Sequence, residues 1–445
     1  MPVRKQQDEV FPNSAAVDVG ASEHWVCAAP RLAEQADCDP VRRCGAMTDD
    51  LHALADWLLG LGIEYVAIES TGVYWIPLYD VLESRGLKVW LTDTRQTRSV
   101  PGRKSDILDC QWNQKLMALG LLRPNWRPEQ DVRVIRAVCR QRDTLIAEQA
   151  SWVQRMQKEL VQMNIQLAEV LSDVMGQTGE AIIRAIVAGE RDPRQLARHR
   201  NRRVKASVAE VQRALTGNWR EEHLFVLSQA VTMYDALGQR ITECERKLQD
   251  LLGSRTSHHV DLGRPPRAGT KARKEFDLRQ MLADWTGVDL TRINGIQTTT
   301  ALKVLSELGP RGAQRFATVK RFCSWLGLCP GTKISGGKIL SARTKFAANR
   351  IRQALKTVVM SLRHSDSALG AFYRRLCLRM DTPRANTAVA HKLARMIYFM
   401  LTRGEAYVDR GQEHYEELQR QRNIAALKRR AAALGFQVQQ IPEAA

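Results

Sequence analysis

Cysteine is sparse and unorganised: nine residues in 445, an odd number, with no Cys-x-x-Cys pair. That argues against a zinc ribbon, excludes a small disulfide-stapled scaffold and fits a reducing cytosol. Long apolar runs are missing too; nothing approaches the roughly 18 unbroken residues of a membrane span. The first residues, 1–12, are polar and hold no secretory apolar core. No P-loop pattern (GxxxxGK[ST]) occurs, so the chain carries no sign of ATP use. Acid is absent from one whole segment: 308–365 contains twelve Lys and Arg and no Asp or Glu.

What is present points elsewhere. Hydrophobic residues make up 44% of the chain, enough for real cores, and the length suggests two to four domains. The formal net charge is +19, which implies a polyanionic partner, nucleic acid first among them. A merely soluble face would mix signs. An acid-free segment suits a phosphate backbone, where each neutralised phosphate releases counterions.

Along the chain, residues 14–130 alternate between short apolar runs and helical spacing. Strands are expected over 14–20, 65–69 and 87–92, and helices over 47–61 and 73–84; this alternation indicates an α/β domain. Residues 131–252 change character. Val153, Met156, Leu160, Met163, Leu167, Val170 and Val174 follow a 3-4 spacing, and so do Tyr234, Leu237, Ile241, Cys244, Leu248 and Leu251. Two such seams predict a coiled-coil region whose helices pack on each other or on a second copy of the chain. Residues 253–275, rich in Gly, Pro and basic residues, read as a linker. Residues 276–405 read as helices broken by Gly-rich turns, and 406–445 as a charged helical tail.

Four acids stand out in the first domain. Asp18 interrupts an apolar strand between Val17 and Val19, which calls for a partner. Glu69 ends a later strand. Asp106 and Asp109 stand at i and i+3, on one face of a helix if Ser105 caps it. Taken singly, each could be a solvated charge or a cap. Gathered together, they would supply the hard oxygen ligands that Mg²⁺ prefers, and a pair of such ions can activate a nucleophile at phosphorus.

Ala16-Val-Asp-Val-Gly20, Ile68-Glu-Ser-Thr-Gly72 and Lys104-Ser-Asp-Ile-Leu-Asp109 resemble the motifs of the DEDD-type insertion-sequence transposases, the recombinases guided by a bridge RNA. Further motifs follow in the family's order: Leu290-Thr-Arg-Ile-Asn-Gly-Ile296, Glu307-Leu-Gly309, Leu326-Gly-Leu-Cys-Pro330, Ile334-Ser-Gly-Gly-Lys338 and Asn349-Arg350. The resemblance implies an α/β RNase H-like (RuvC-like) N-terminal domain over 1–130. A helical coiled-coil region and a mainly α C-terminal transposase domain, with a helix-hairpin-helix-like start, would follow. It implies that Asp18, Glu69, Asp106 and Asp109 are the catalytic, Mg²⁺-binding carboxylates and that Ser335 is the serine nucleophile. It implies DNA partners (donor and target), a non-coding guide RNA, and a dimer of dimers whose active site is completed by two subunits. A cytoplasmic, nucleoid-associated enzyme is expected, with no membrane partner. Many members carry two serines before the Gly-Gly. Here Ile334 stands in the first position, so Ser335 is the candidate within the motif and Ser341 lies six residues on.

A serine hydroxyl needs activation, and no His lies in the acid-free segment before His364. Metal-assisted activation would fill that gap. Gly336 and Gly337 would let the backbone approach a phosphate. Lys333, Lys338, Arg343, Lys345 and Arg350 would bind nucleic acid and offset charge developing at phosphorus. Gly295 could open a turn whose N–H groups meet a DNA phosphate, or simply pack between helices. Two rivals use the same residues differently: a structure-selective Mg²⁺-dependent junction nuclease without strand rejoining, and a non-catalytic nucleic-acid-binding protein on a decayed nuclease fold. Tyr373 and Tyr398 are lesser nucleophile candidates in helical patterns that suit packing.

Overall fold

The computed structural model describes residues 9–69, 72–93, 106–255, 257–262, 277–344, 349–404, 407–409 and 411–439. The chain divides into two compact units, Met1–Arg127 and Pro128–Ala445.

The first unit is built on a five-stranded sheet in the order β3-β2-β1-β4-β5. Its strands are β1 (Ser14–Val19), β2 (Glu23–Cys27), β3 (Val41–Gly45), β4 (Tyr65–Glu69) and β5 (Lys88–Thr92). β1 runs antiparallel to β2 and parallel to β4, and β4 runs parallel to β5. Helices α1 (Pro30–Gln35), α2 (Thr48–Gly60), α3 (Trp75–Ser84) and α4 (Asp106–Ala118) complete the unit. Strand alternation sorts the side chains. Val17, Val19, Val26, Val66, Ile68 and Leu91 join Leu51, Leu54, Leu58, Leu78 and Leu82 of α2 and α3 in one core. Ala16 and Ala67, one residue out of phase, meet Leu116 and Met117 of α4 on the opposite face. β1 and β4 are central strands covered on both faces and so read as apolar runs, while the edge strand β5 is visible through Leu91 packed on one face and Trp90 on the other.

β2, β3 and α1 were not anticipated. β3 is Val-Arg-Arg-Cys-Gly, with both arginines exposed. It carries little apolar signal, and the ladder to β2 holds it in place. Trp75, although close to Glu69 in sequence, packs against the α2–α3 core and meets the Tyr79 ring edge-on at 5.9 Å.

The second unit is mainly helical. Two 33-residue helices, α5 (Gln130–Gln162) and α10 (Glu221–Gly253), lie against each other. Arg142 reaches Glu245 at 2.6 Å, and Gln149 donates to the Tyr234 carbonyl at 3.0 Å. The pairing is antiparallel and lies within one chain. The first heptad seam, however, is not one helix. α5 ends at Gln162 and Asn164 takes a φ of 58°, the left-handed region. The chain then folds back, so that Met163, Ile165, Leu167 and Val174 bury in the same cluster as Met156 and Leu160. Continued 3-4 spacing here reflects a shared core rather than a continuous seam.

Four short helices separate the long pair: α6 (Leu167–Val170), α7 (Gln177–Val187), α8 (Pro193–Ala197) and α9 (Val208–Ala214). The described part of the expected linker docks on α11 (Leu278–Thr286): His258 and Val260 donate backbone N–H groups to Asp284 at 3.0 and 2.9 Å. The remainder, with Pro265 and Pro266, lies outside the described residues. Then come α12 (Thr298–Leu308), α13 (Val319–Trp325), the hairpin β6 (Lys333–Ser335) and β7 (Lys338–Ser341), α14 (Arg350–Ser361), α15 (Ala368–Cys377), α16 (Thr382–Arg403) and the tail helix α17 (Gly411–Ala433). A strand hairpin was not expected in this helical region. Among the described residues no helix is long and apolar enough to cross a membrane.

Candidate active site

The four carboxylates come together in the first unit, and the sheet explains how. Ala16 of β1 sits opposite Ala67 of β4, and both pack under α4. Two residues further along each strand, Asp18 and Glu69 emerge on that same face at the carboxyl ends of adjacent parallel strands, the usual place for a site in such sheets. α4 begins at Asp106, so Asp106 and Asp109 share its first turn. Ser105, the proposed cap, lies outside the described residues, as do Ser70 and Thr71.

The electrostatics report the gathering. Burial, then repulsion from Glu69, Asp106 and Asp109, pushes the Asp18 carboxyl up to about 6. Among the described residues no three His, Cys, Asp or Glu side chains form a closed cage for an ion. The donor set nonetheless fits a hard divalent cation: four oxygen-bearing acids close enough to repel, a repulsion that positive charge relieves.

One residue of this group was missed by sequence reasoning. Asn113 is 3% exposed on α4, donates Nδ2 to Glu69 Oε2 at 3.4 Å, and keeps a buried Oδ1 that has no hydrogen-bond partner among the described residues. Its only sequence signal is spacing: Asp106, Asp109 and Asn113 are i, i+3 and i+7 on one helical stripe. An amide that steadies Glu69 and leaves an oxygen in reserve is a fitting neighbour for a cation.

Ser335 belongs to the second unit, and Lys333, Gly336, Gly337 and Lys338 surround it on the hairpin. Ser335 pairs with Lys338 across the two-residue turn Gly336-Gly337. Both glycines take positive φ, 53° and 76°, the signature of the I′ turn that matches strand twist, and any other residue there would be strained. The glycines thus shape the hairpin tip, in addition to any close approach to phosphate. Alternation puts Lys333, Ser335 and Lys338 on one face. Residues 332–340 are all exposed, and Arg343 beyond them is exposed too. Ser341 Oγ accepts the Arg343 N–H at 3.3 Å. Lys345 lies outside the described residues.

Arg350 stands apart from the hairpin. It bonds Asp143 of α5 at 2.9 Å and approaches Glu307 of α12 at 3.8 Å. Glu307 also takes both arms of Arg140 at 2.8 Å and is paired with Arg136. Lys303 lies beside Asp143, and these two, with Arg140, Glu307 and Arg350, line a cavity of about 220 Å³ between α5, α12 and α14. The acid-free segment is therefore partly neutralised by acids outside it. Gly295 takes a φ of 87°, and a Cβ there would meet Val358 and Leu362 at 3.0 and 3.1 Å. Its turn packs on α14. Tyr373 and Tyr398 are 2% and 8% exposed, and the Tyr398 hydroxyl donates to the Phe316 carbonyl; both are packing residues.

Residues 15–165 match a family model described as a transposase, the DEDD type of IS110. Residues 287–374 match the model described as Transposase IS116/IS110/IS902 family. A search of curated proteins finds no match. The first model spans all four carboxylates and Asn113, and carries with it an RNase H-like fold and a general dependence on divalent metal. The second spans the Ser335 hairpin and Arg350. With two acids at the carboxyl ends of adjacent strands, two more on the first turn of α4, and the two models together spanning more than half of the sequence in the family's order, the chain belongs to the IS110 family of transposases, enzymes that recombine DNA.

Proposed function

We propose that the enzyme moves its own insertion element by cleaving and rejoining DNA strands, with Ser335 as the nucleophile. Asp18, Glu69, Asp106 and Asp109 would hold Mg²⁺, which when bound stabilises charge at the reacting phosphate and lowers the barrier to hydroxyl attack. The observation that carries the reading is the placement of Ser335: an exposed hydroxyl at a two-glycine tip, with Lys333 and Lys338 on its own face. The Ser335 Oγ–P bond forms as the P–O bond to the neighbouring nucleotide breaks. The hydroxyl gives up its proton and the departing oxygen takes one up. The number of phosphoester bonds is unchanged, so the reverse attack by a strand end rejoins DNA without ATP. Lys333 and Lys338 offset the charge that grows on the phosphoryl oxygens.

Ser335→Ala should abolish covalent protein–DNA adducts on denaturing gels while DNA binding persists; adducts from the variant would refute the assignment. A junction nuclease is the second reading. It is favoured by the carboxylate group being complete within the first unit, with no demand for a serine. Rejoined product, rather than nicks alone, excludes it. A structured non-coding RNA encoded beside the gene would direct the enzyme to donor and target, base pairing then reading the sequence. Sequencing the RNA that copurifies from the host tests this, and size measurement of the nucleic-acid-loaded protein tests the dimer of dimers. The site of action would be the cytoplasm, at the nucleoid.

A further inference from the structure

The hairpin has a second face that the strand-transfer chemistry leaves unused. Ile334 pairs with Ile339 across the strands, on the side opposite Ser335 and Lys338. The two are 64% and 66% exposed, and Leu340 next to them is 69% exposed. Leu340 is the extra residue of a bulge, since Lys333 pairs with Ser341 while Ile334 pairs with Ile339. Surface aliphatics are ordinarily scattered singly; here three fall within seven residues of a two-stranded ribbon, a structure that gains little stability of its own. Among the described residues, nothing lies within 4 Å of a Cβ built on either glycine of the tip.

The surroundings decide the occupant. Lys333 and Lys338 stand on the hairpin's other face and Arg343 just beyond it, all are exposed, and residues 308–365 contain no acid. A protein partner's apolar core disfavours lysine. DNA, the substrate of the family, offers both surfaces at once: phosphates outside for the cations, and stacked bases inside for the aliphatics.

We propose that Ile334 and Ile339, with Leu340, form an apolar wedge that enters the DNA between base pairs beside the phosphodiester that Ser335 attacks, so that the substrate is duplex DNA with locally unstacked pairs. Aliphatic wedges of this kind unstack a step and kink the duplex. One hairpin face would then hold the backbone while the other holds the opened bases. The position of the wedge relative to the cut rests on the Ser335 reading; the wedge itself rests on the exposed face.

The test compares two 30-base-pair duplexes, one fully paired and one with a central three-base mismatch bubble, by fluorescence anisotropy at fixed salt. The full-length protein, with whatever RNA accompanies it, is used. Opened DNA spares the protein the unstacking, so wild type should bind the bubble about tenfold more tightly. The double substitution Ile334→Thr and Ile339→Thr keeps β-branched residues in the strands and should bring the two affinities together. Ser335→Ala should keep the preference while losing adducts. A wild type that does not distinguish the duplexes, or a double variant that still does, overturns the wedge. So does a double variant whose oligomeric state changes, because the face would then belong to a protein contact. If wild type forms no adducts yet prefers the bubble, the nucleophile assignment fails and the wedge stands.

Discussion

Asp18 and Glu69 stand on strands whose neighbours Val17, Ile68 and Ala67 are at most 2% exposed, whereas every residue of the hairpin from 332 to 340 is open to solvent. Carboxylates that must collect a cation need a rigid, part-buried frame. Only such a frame holds like charges close enough to make the cation worth binding. Under the proposed function, a hydroxyl that reaches into a polymer needs the reverse, a narrow and accessible tip. The first arrangement draws its precision from a core under both faces of a sheet, the second from backbone conformation alone.

Backbone strain should therefore injure the hairpin most. Gly337 takes a φ of 76° with nothing among the described residues within 4 Å of an added Cβ, so Gly337→Val offends only the backbone, at about 1–3 kcal/mol. Adduct yield should fall about 100-fold through misplacement of Ser335. The far-ultraviolet circular dichroism and the divalent-cation affinity should stay as in wild type. An unchanged yield would mean that the turn does not position the serine.

The carboxylate group should respond instead to its supporting shell. Asn113→Leu removes the Glu69 donor without adding charge, and should weaken Mg²⁺ or Mn²⁺ affinity about 10- to 100-fold by calorimetry. Equal affinity would show that Glu69 is fixed by other groups.

The smallest effect sharpens the electrostatic half of the comparison. Asp18 titrates near 6 in the folded chain against 3.8 ordinarily. The folded state thus binds this proton more tightly, which favours folding at low pH, and that advantage is lost as pH rises through about 6. In chelator, Asp18→Asn should be more stable than wild type at alkaline pH by about 1–2 kcal/mol, a melting rise of a few degrees, given the part-solvated carboxyl. The gap should close below pH 3.8. With saturating Mg²⁺ the order should reverse, because only wild type keeps the full ligand set. A variant no more stable than wild type in chelator would show that the acids do not repel.

Which parts were legible follows the same division. β1 and β4 announced themselves because both of their faces are covered, and β5 through Leu91 and Trp90. β3 did not, since its Arg42 and Arg43 face solvent on an edge. The 3-4 pattern through Val174 looked like one seam because a chain that reverses at Asn164 still feeds one core. The hairpin hid because its aliphatics point outward, so no buried face marked the strands. Asp18 was conspicuous as a charge among valines, while Asn113, an uncharged amide, gave no warning.

The pairing at Glu307 has a mechanical consequence. Two guanidiniums from α5 and a third from α14 converge on that one carboxylate, and removing the anion would strand cations in a part-buried place, at about 3–5 kcal/mol. From Asp143 to its end at Gln162, α5 continues for about 28 Å to the separate Met156–Val231 core. The helix is thus a shaft bolted at one end to α12 and α14 and keyed at the other into a separate core.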